Sequence, residues 1–242
     1  MLGVLGAIIG SFVAALVTRW PDGRSVMQGR SACDGCGRTL RAVELVPLLS
    51  AFVLRGRCKG CGVAISPVHW RIELAGLAIG LAAGIVAPGT VGIAGAVFGW
   101  LLLALASLDL VAFWLPDRLT ILLAVTGFVG TALGIDPPLP ERLIGGLAGF
   151  GTLWLVAFGY RRIRGRDGMG GGDPKLFGAI GLWLGWQMLP AVLLIASMVG
   201  LGAVLTMRVG GKPVTGQTAM PFGALLAIAA YPAWLFMIAS GG

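Results

Sequence analysis

The sequence predicts an all-α polytopic membrane protein of about eight transmembrane helices, with a small extramembrane domain between the first and second. Three observations carry this reading. Of 242 residues, 57% are hydrophobic and only 12% charged, about half the charged fraction of a soluble domain. Mean hydropathy is +0.92, and apolar stretches close to the roughly 20 residues of a spanning helix recur along the chain. The charges that remain fall into a few loops. Glycine is abundant, at 41 residues, without a collagen period, and suits close helix packing in lipid.

Apolar segments are expected to span at 1–18, 72–88, 90–113, 119–135, 143–160, 174–188, 189–207 and 220–240. The boundary between the sixth and seventh is the least marked. The first segment lacks a basic flank and a small-residue cleavage site, so it reads as a retained helix. The loop between the first two spans carries Arg19, Arg24, Arg30, Arg38, Arg41, Arg55, Arg57, Lys59 and Arg71. Arg161, Arg162, Arg164 and Arg166 follow the fifth span, and Arg208 and Lys212 precede the last. With eight alternating spans all three loops share one face. The opposite turns are short and hold Asp136, Glu141 and Arg142. Basic loops mark the cytoplasmic side, which places both termini outside. The net charge of +8 is explained by this asymmetry. No basic stripe interleaves with aromatics, so nucleic acid is not an expected partner; membrane lipid is.

The loop from residue 19 to 71 is the only segment long enough to fold outside the membrane, and a domain so small needs a staple. It contains all four cysteines, as Cys33-Asp34-Gly35-Cys36-Gly37 and Cys58-Lys59-Gly60-Cys61-Gly62. Two C-x-x-C pairs about twenty residues apart match a zinc-ribbon spacing. Four thiolates close a tetrahedral structural site, and the glycine after each pair lets the backbone fold back toward the sulfurs. Two disulfides are the competing reading, disfavoured in a reducing cytoplasm. His69, the only histidine, reads as a loop or interfacial residue.

Ionisable residues inside spans point to function, and two aspartates stand out. Asp109, in SLDLVAFWLPDRLT, lies one to two turns inside the cytoplasmic end of the third span. Asp173, in GMGGGDPKL, opens the sixth. Alternation puts them at similar depth. Two neighbouring carboxylates need not both ionise, so the pair can share one proton, one taking a proton from water while the other protonates a carbonyl. Gly170 and Gly172 would let an extended substrate backbone approach. Competing readings remain open. Asp173 could cap its helix, with Pro174 well placed in the first turn, and Asp117 could cap the fourth span. Lys175 could reach for the interface or bias a nearby carboxylate toward ionisation. GMGGGDPK lacks the ending of a phosphate-binding loop, and no strand precedes it.

Taken in order, these stretches resemble type IV prepilin peptidases, the leader peptidases and N-methyltransferases of pilus and type II secretion systems. GSFVAALVTRWP (10–21) is similar to the family's opening. SACDGCG, VPLLSAFVLRGRC and LRGRCKGCGVAISP are similar to its cysteine domain. LDLVAFWLPDRLT and GMGGGDPKLFGAIGLWLGW are similar to its two aspartate motifs, and AMPFGALLAI (219–228) to its last helix. Ala14 stands where members often carry Asn, VHWRIEL follows ISP, and Glu73 is retained.

The resemblance implies that Asp109 and Asp173 are the catalytic pair, supported by Gly170, Gly172, Lys175 and Asp117. It implies a structural zinc on Cys33, Cys36, Cys58 and Cys61. It also implies three regions: a first helix (1–18), a cytoplasmic cysteine domain tied to methylation (19–71), and a membrane peptidase domain (72–242). The substrate would be a prepilin or pseudopilin with a short basic leader. It would be cut after a glycine at the cytoplasmic face of a prokaryotic inner membrane, and its new N-terminus methylated from S-adenosylmethionine. Glu73 is the candidate contact for that cofactor. Set against this are a proton- or ion-coupled transporter with a zinc-bound domain, and a non-enzymatic zinc-ribbon scaffold. A transporter would hold its charges near the midplane on repeated, broken helices, whereas here both carboxylates lie toward one face. Presenilin-type proteases share a Gly-x-Gly-Asp element but not the four-cysteine loop.

Overall fold

A computed structural model describes residues 1–27, 31–33, 35–166, 168–211 and 219–241; Arg30 and Lys212, two of the basic loop residues, lie outside these. Among the described residues the protein is all-helical, with two isolated β-bridges and no strand. It divides into two compact units, Met1–Ala104 and Leu105–Gly242.

The first unit contains α1 (Leu2–Arg19), the short α2 (Leu49–Val53), α3 (Val68–Val86) and most of α4 (Thr90–Ala112). α1 and α3 run antiparallel with their backbones in contact. A methyl group on Gly6 would overlap the Gly76 carbonyl, and one on Gly80 would overlap the Leu2 carbonyl. A methyl on Gly10 would come 2.7 Å from the Glu73 Cα. In lipid, where helices gain little from burying apolar surface, such close contact supplies the packing energy. Trp100 of α4 adds a hydrogen bond, its indole N–H donating to the Gly76 carbonyl at 3.0 Å.

The second unit holds the end of α4, then α5 (Asp117–Ala132), α6 (Leu139–Arg164), α7 (Gly172–Leu184), α8 (Leu189–Val209) and α9 (Phe222–Ala239). α7 is its centre. Leu176 and Ile180 are fully buried. Gly145 and Gly149 of α6 meet Gly181 and the Phe177 carbonyl with no room for side chains. The Trp183 indole N–H donates to the Leu123 carbonyl of α5 at 2.8 Å. The outer faces of α6 and α8 expose Leu147, Leu155, Leu194 and Leu201, as lipid contact requires. This is a multi-pass membrane protein.

A helix forms at each of the eight expected places, but among the described residues six are long and apolar enough to cross a membrane: α1, α3, α4, α6, α8 and α9. The expected count of about eight spans is met as helices and not as full crossings. α5 has 16 residues and α7 has 13, and at 1.5 Å per residue the latter covers about 20 Å of a core about 30 Å thick. Gly185, with φ +71°, ends α7.

Arg142 departs from its expected place in an outer turn. It is fully buried. Its guanidinium donates to five carbonyls, those of Pro137, Gly127, Leu182, Ile135 and Asp136, at 2.7 to 3.0 Å. Ile135, Asp136 and Pro137 lie in the connection between α5 and α6, and Leu182 in the last turn of α7, where carbonyls lack a helical partner; one planar five-donor group satisfies several at once.

Candidate active site

Asp109 sits one turn from the end of α4. The helix stops because Phe113 adopts φ +50° and Pro116 follows, capping α5. Asp173 lies in the first turn of α7, its N–H donating to the Gly170 carbonyl at 3.2 Å. Pro174 fits there because a first-turn residue needs no amide donor. Asp109 and Asp173 are 5% and 6% exposed, and they converge. A methyl placed on Gly223, in the first turn of α9, would lie 3.1 Å from an oxygen of each carboxylate. The two carboxylates therefore flank one glycine.

The start of α9 explains how they are held. Its N-cap is Pro221, which provides no side-chain cap, so first-turn amides are left for an outside acceptor. The Ala224 N–H donates to Asp109 Oδ2 at 2.8 Å. The Gly223 N–H is directed at both Asp109 and Asp173, and the Gly170 N–H also reaches Asp173. Carboxylates at a helix N-terminus meet its free donors and the positive end of its dipole. Leu115 covers the pair, packed against Gly172 and Gly223. The missing side chain of Gly172 thus makes room for Leu115, whose Cβ would lie 2.8 Å from an added methyl. Gly170 lies against the Asp173 carboxylate, and Gly171 faces open space.

The remaining expected residues are engaged differently. Lys175 pairs with Asp117 at 2.7 Å, bracing α7 against α5 on the exposed surface. Such a pair is worth under about 1 kcal/mol. Asp117 caps nothing with its side chain; it is the first residue of α5. Glu73 is buried in the first unit, where its Oε2 accepts the Leu48 N–H at 2.8 Å.

The four cysteines form a second constellation. Each pair sits in a tight turn closed by an antiparallel bridge, Ala32 with Thr39 and Arg57 with Ala64. Gly37 and Gly62 take φ +68° and +72°, and their N–H groups return to the Cys33 and Cys58 carbonyls at 2.8 and 2.9 Å. All four cysteines are free, with sulfurs within 4.8 Å of one another. Cys33 and Cys61 Sγ are 3.8 Å apart. That is the edge of a tetrahedron with metal–sulfur bonds of about 2.3 Å, the zinc–thiolate length. The donor set therefore fits a metal ion such as zinc, and the spacing is unlike that of a disulfide. N–H groups of Cys61 and Gly60 directed at the Cys58 sulfur hold its thiol down to about 6, favouring the ligating thiolate.

The type IV leader peptidase family model matches residues 96–205, and the bacterial peptidase A24 N-terminal domain model matches residues 4–86. The chain belongs to the type IV leader peptidase family. Curated relatives extend the match. A prepilin leader peptidase/N-methyltransferase of Aeromonas salmonicida is 38% identical over 88% of this chain and 73% of its own. Proteins of the same name from Burkholderia pseudomallei and Stutzerimonas stutzeri are 39% and 34% identical. They match over 93% and 96% of this chain and 81% and 89% of their own. No solved structure matches the chain. By this membership the protein is an enzyme, a leader peptidase with an associated methyltransferase. The first matched segment holds the cysteines and Glu73; the second holds Asp109 and Asp173.

Sequence reasoning missed Gly223 and Ala224, whose amides hold the carboxylates. The signal was present in AMPFGALLAI: a helix start whose cap position is proline, followed by glycine, leaves amides that another element must satisfy.

Proposed function

We propose that this peptidase removes the basic leader from type IV prepilins or pseudopilins at the cytoplasmic face of a prokaryotic inner membrane. Asp109 and Asp173 are its catalytic pair in this reading. One carboxylate takes a proton from water, whose oxygen attacks the carbonyl carbon of the leader's last glycine. The other, protonated, donates to the carbonyl oxygen. The C–N bond then breaks, and the released amine takes up a proton. The convergence of two buried carboxylates on Gly223 carries the proposal.

The second activity is methylation of the new N-terminus, with S-adenosylmethionine supplying the methyl group when bound. The first helix (1–18), the cysteine domain (19–71) and the membrane peptidase (72–242) divide the work. A zinc on Cys33, Cys36, Cys58 and Cys61 serves as a structural cross-link, since four protein ligands leave no open position.

The experiment is intact mass spectrometry of a pilin-like precursor incubated in micelles with enzyme and S-adenosylmethionine. Wild type should remove the leader and add one methyl group. Asp109→Asn and Asp173→Asn should each leave the precursor uncut. Equal cleavage by either variant overturns the pair.

A further inference from the structure

The cysteine module carries a feature that neither leader cleavage nor metal binding uses. The 3-10 turn Ala42–Leu45 and the adjacent α2 turn large apolar side chains outward. Phe52 is 85% exposed and Val43 76%, with Leu49 and Val53 also exposed. Apolar side chains so displayed mark a contact surface. Beside them is a cavity of about 410 Å³ lined by Arg38, Arg41, Val43, Glu44, Lys59 and Gly60. Arg38 is neutralised by Glu44 at 2.7 Å, which leaves Arg41 and Lys59 to give the cavity its positive character.

The height of this segment relative to lipid follows from Glu73. α3 has 19 residues, about 28 Å of helix, close to the hydrocarbon thickness. Glu73 lies fewer than two turns from Val68, about 8 Å along the axis. Its carboxylate holds the Leu48 N–H, between the 3-10 turn and α2. Leu48 is forced to φ +62° there, a conformation costly for leucine. The segment is thus tied to a membrane helix at the depth where headgroups meet acyl chains. At that depth an aromatic and aliphatic face enters lipid, and a flanking basic cavity meets phosphate.

We propose that the cavity of Arg41 and Lys59 binds the headgroup of an anionic phospholipid, with Val43, Leu49, Phe52 and Val53 seated among its acyl chains. The lipid would fix the cysteine module against the leaflet. The proposal stands apart from the peptidase reading, and its test requires no cleavage.

The full chain is titrated in micelles with phosphatidylglycerol or phosphatidylcholine and followed by native mass spectrometry. Wild type should retain phosphatidylglycerol and not phosphatidylcholine. Arg41→Gln with Lys59→Gln should bind it about thirty-fold more weakly, from about 1 kcal/mol for each charge near the surface. Arg41→Gln alone should show about a five-fold loss, which covers the case of a double variant that misfolds. Millimolar inorganic phosphate should not displace the lipid. In phosphatidylglycerol vesicles, p-benzoylphenylalanine at position 52 should crosslink to lipid. Undiminished binding by the single variant overturns the site, as does displacement by phosphate. A residue-52 crosslink to protein in place of lipid overturns the seating.

Discussion

Gly223→Ala is the sharpest perturbation of the peptidase reading, because its effect can be worked from distances. The new methyl would lie 3.1 Å from Asp109 Oδ2, 3.1 Å from Asp173 Oδ1 and 2.7 Å from Leu115 Cδ1. Leu115 can swing aside at small cost. The carboxylates cannot move freely, since backbone amides of α9 hold them. Each must retreat a few tenths of an ångström, and the methyl takes the space where a shared water would sit. A misplacement of about 1 Å costs about a hundredfold in rate; a retreat of a few tenths of an ångström costs part of that, and losing the water's seat supplies the rest. The expected outcome is a fall in kcat of a hundredfold or more. Overpacking should cost only about 1–3 kcal/mol of stability. The assay is initial-rate cleavage of a precursor in micelles, with Gly171→Ala as the control. Gly171 faces open space at φ −64°, so alanine should leave the rate within about twofold, a surface substitution being close to neutral. Gly223→Ala cleaving at more than half the wild-type rate would refute the geometry on which the mechanism stands.

Other consequences follow from the same structure. Cys36→Ser should lower bound zinc, measured by elemental mass spectrometry, from one equivalent toward zero, and the 20–67 segment should become protease-sensitive. Arg142→Met leaves buried carbonyls without donors at about 1–3 kcal/mol each, so the melting temperature should fall sharply; an unchanged melting curve would contradict the clamp. Glu44 is held down at about 2 by the Arg38 guanidinium and the Arg41 N–H. Because its folded value lies below the unfolded one, its contribution is complete above about 4.5 and is lost as pH falls toward 2. Hydrogen-exchange protection factors in the cysteine module, which remove the intrinsic pH dependence of amide exchange, should therefore fall more steeply with acid in wild type than in Glu44→Gln.

The helices, the four-cysteine cluster and the two aspartates were legible because each leaves a local mark. Apolar length gives the helix, C-x-x-C spacing gives the cysteine cluster, and a lone carboxylate inside an apolar run gives each member of the candidate pair. Three things were not legible. Arg142 looked like one more loop charge, because nothing in its own vicinity announces five carbonyls gathered from separate segments. The role of Gly223 depends on α9 arriving beside residues more than a hundred positions earlier. Gly172 was read as clearance for substrate, while in the fold that clearance is taken by Leu115.

The glycine contacts between α1 and α3 make the chain before and after the cysteine module two sides of one tightly sewn hairpin. A hairpin that packs through its own backbones does not depend on the length or nature of what joins its ends. The module is therefore a cassette: it could be shortened, exchanged or excised at the level of a gene while the hairpin beneath it stays paired. Among the described residues, one cost would fall on Glu73, left without the Leu48 amide. A lineage that dispensed with the module would be expected to change that carboxylate as well.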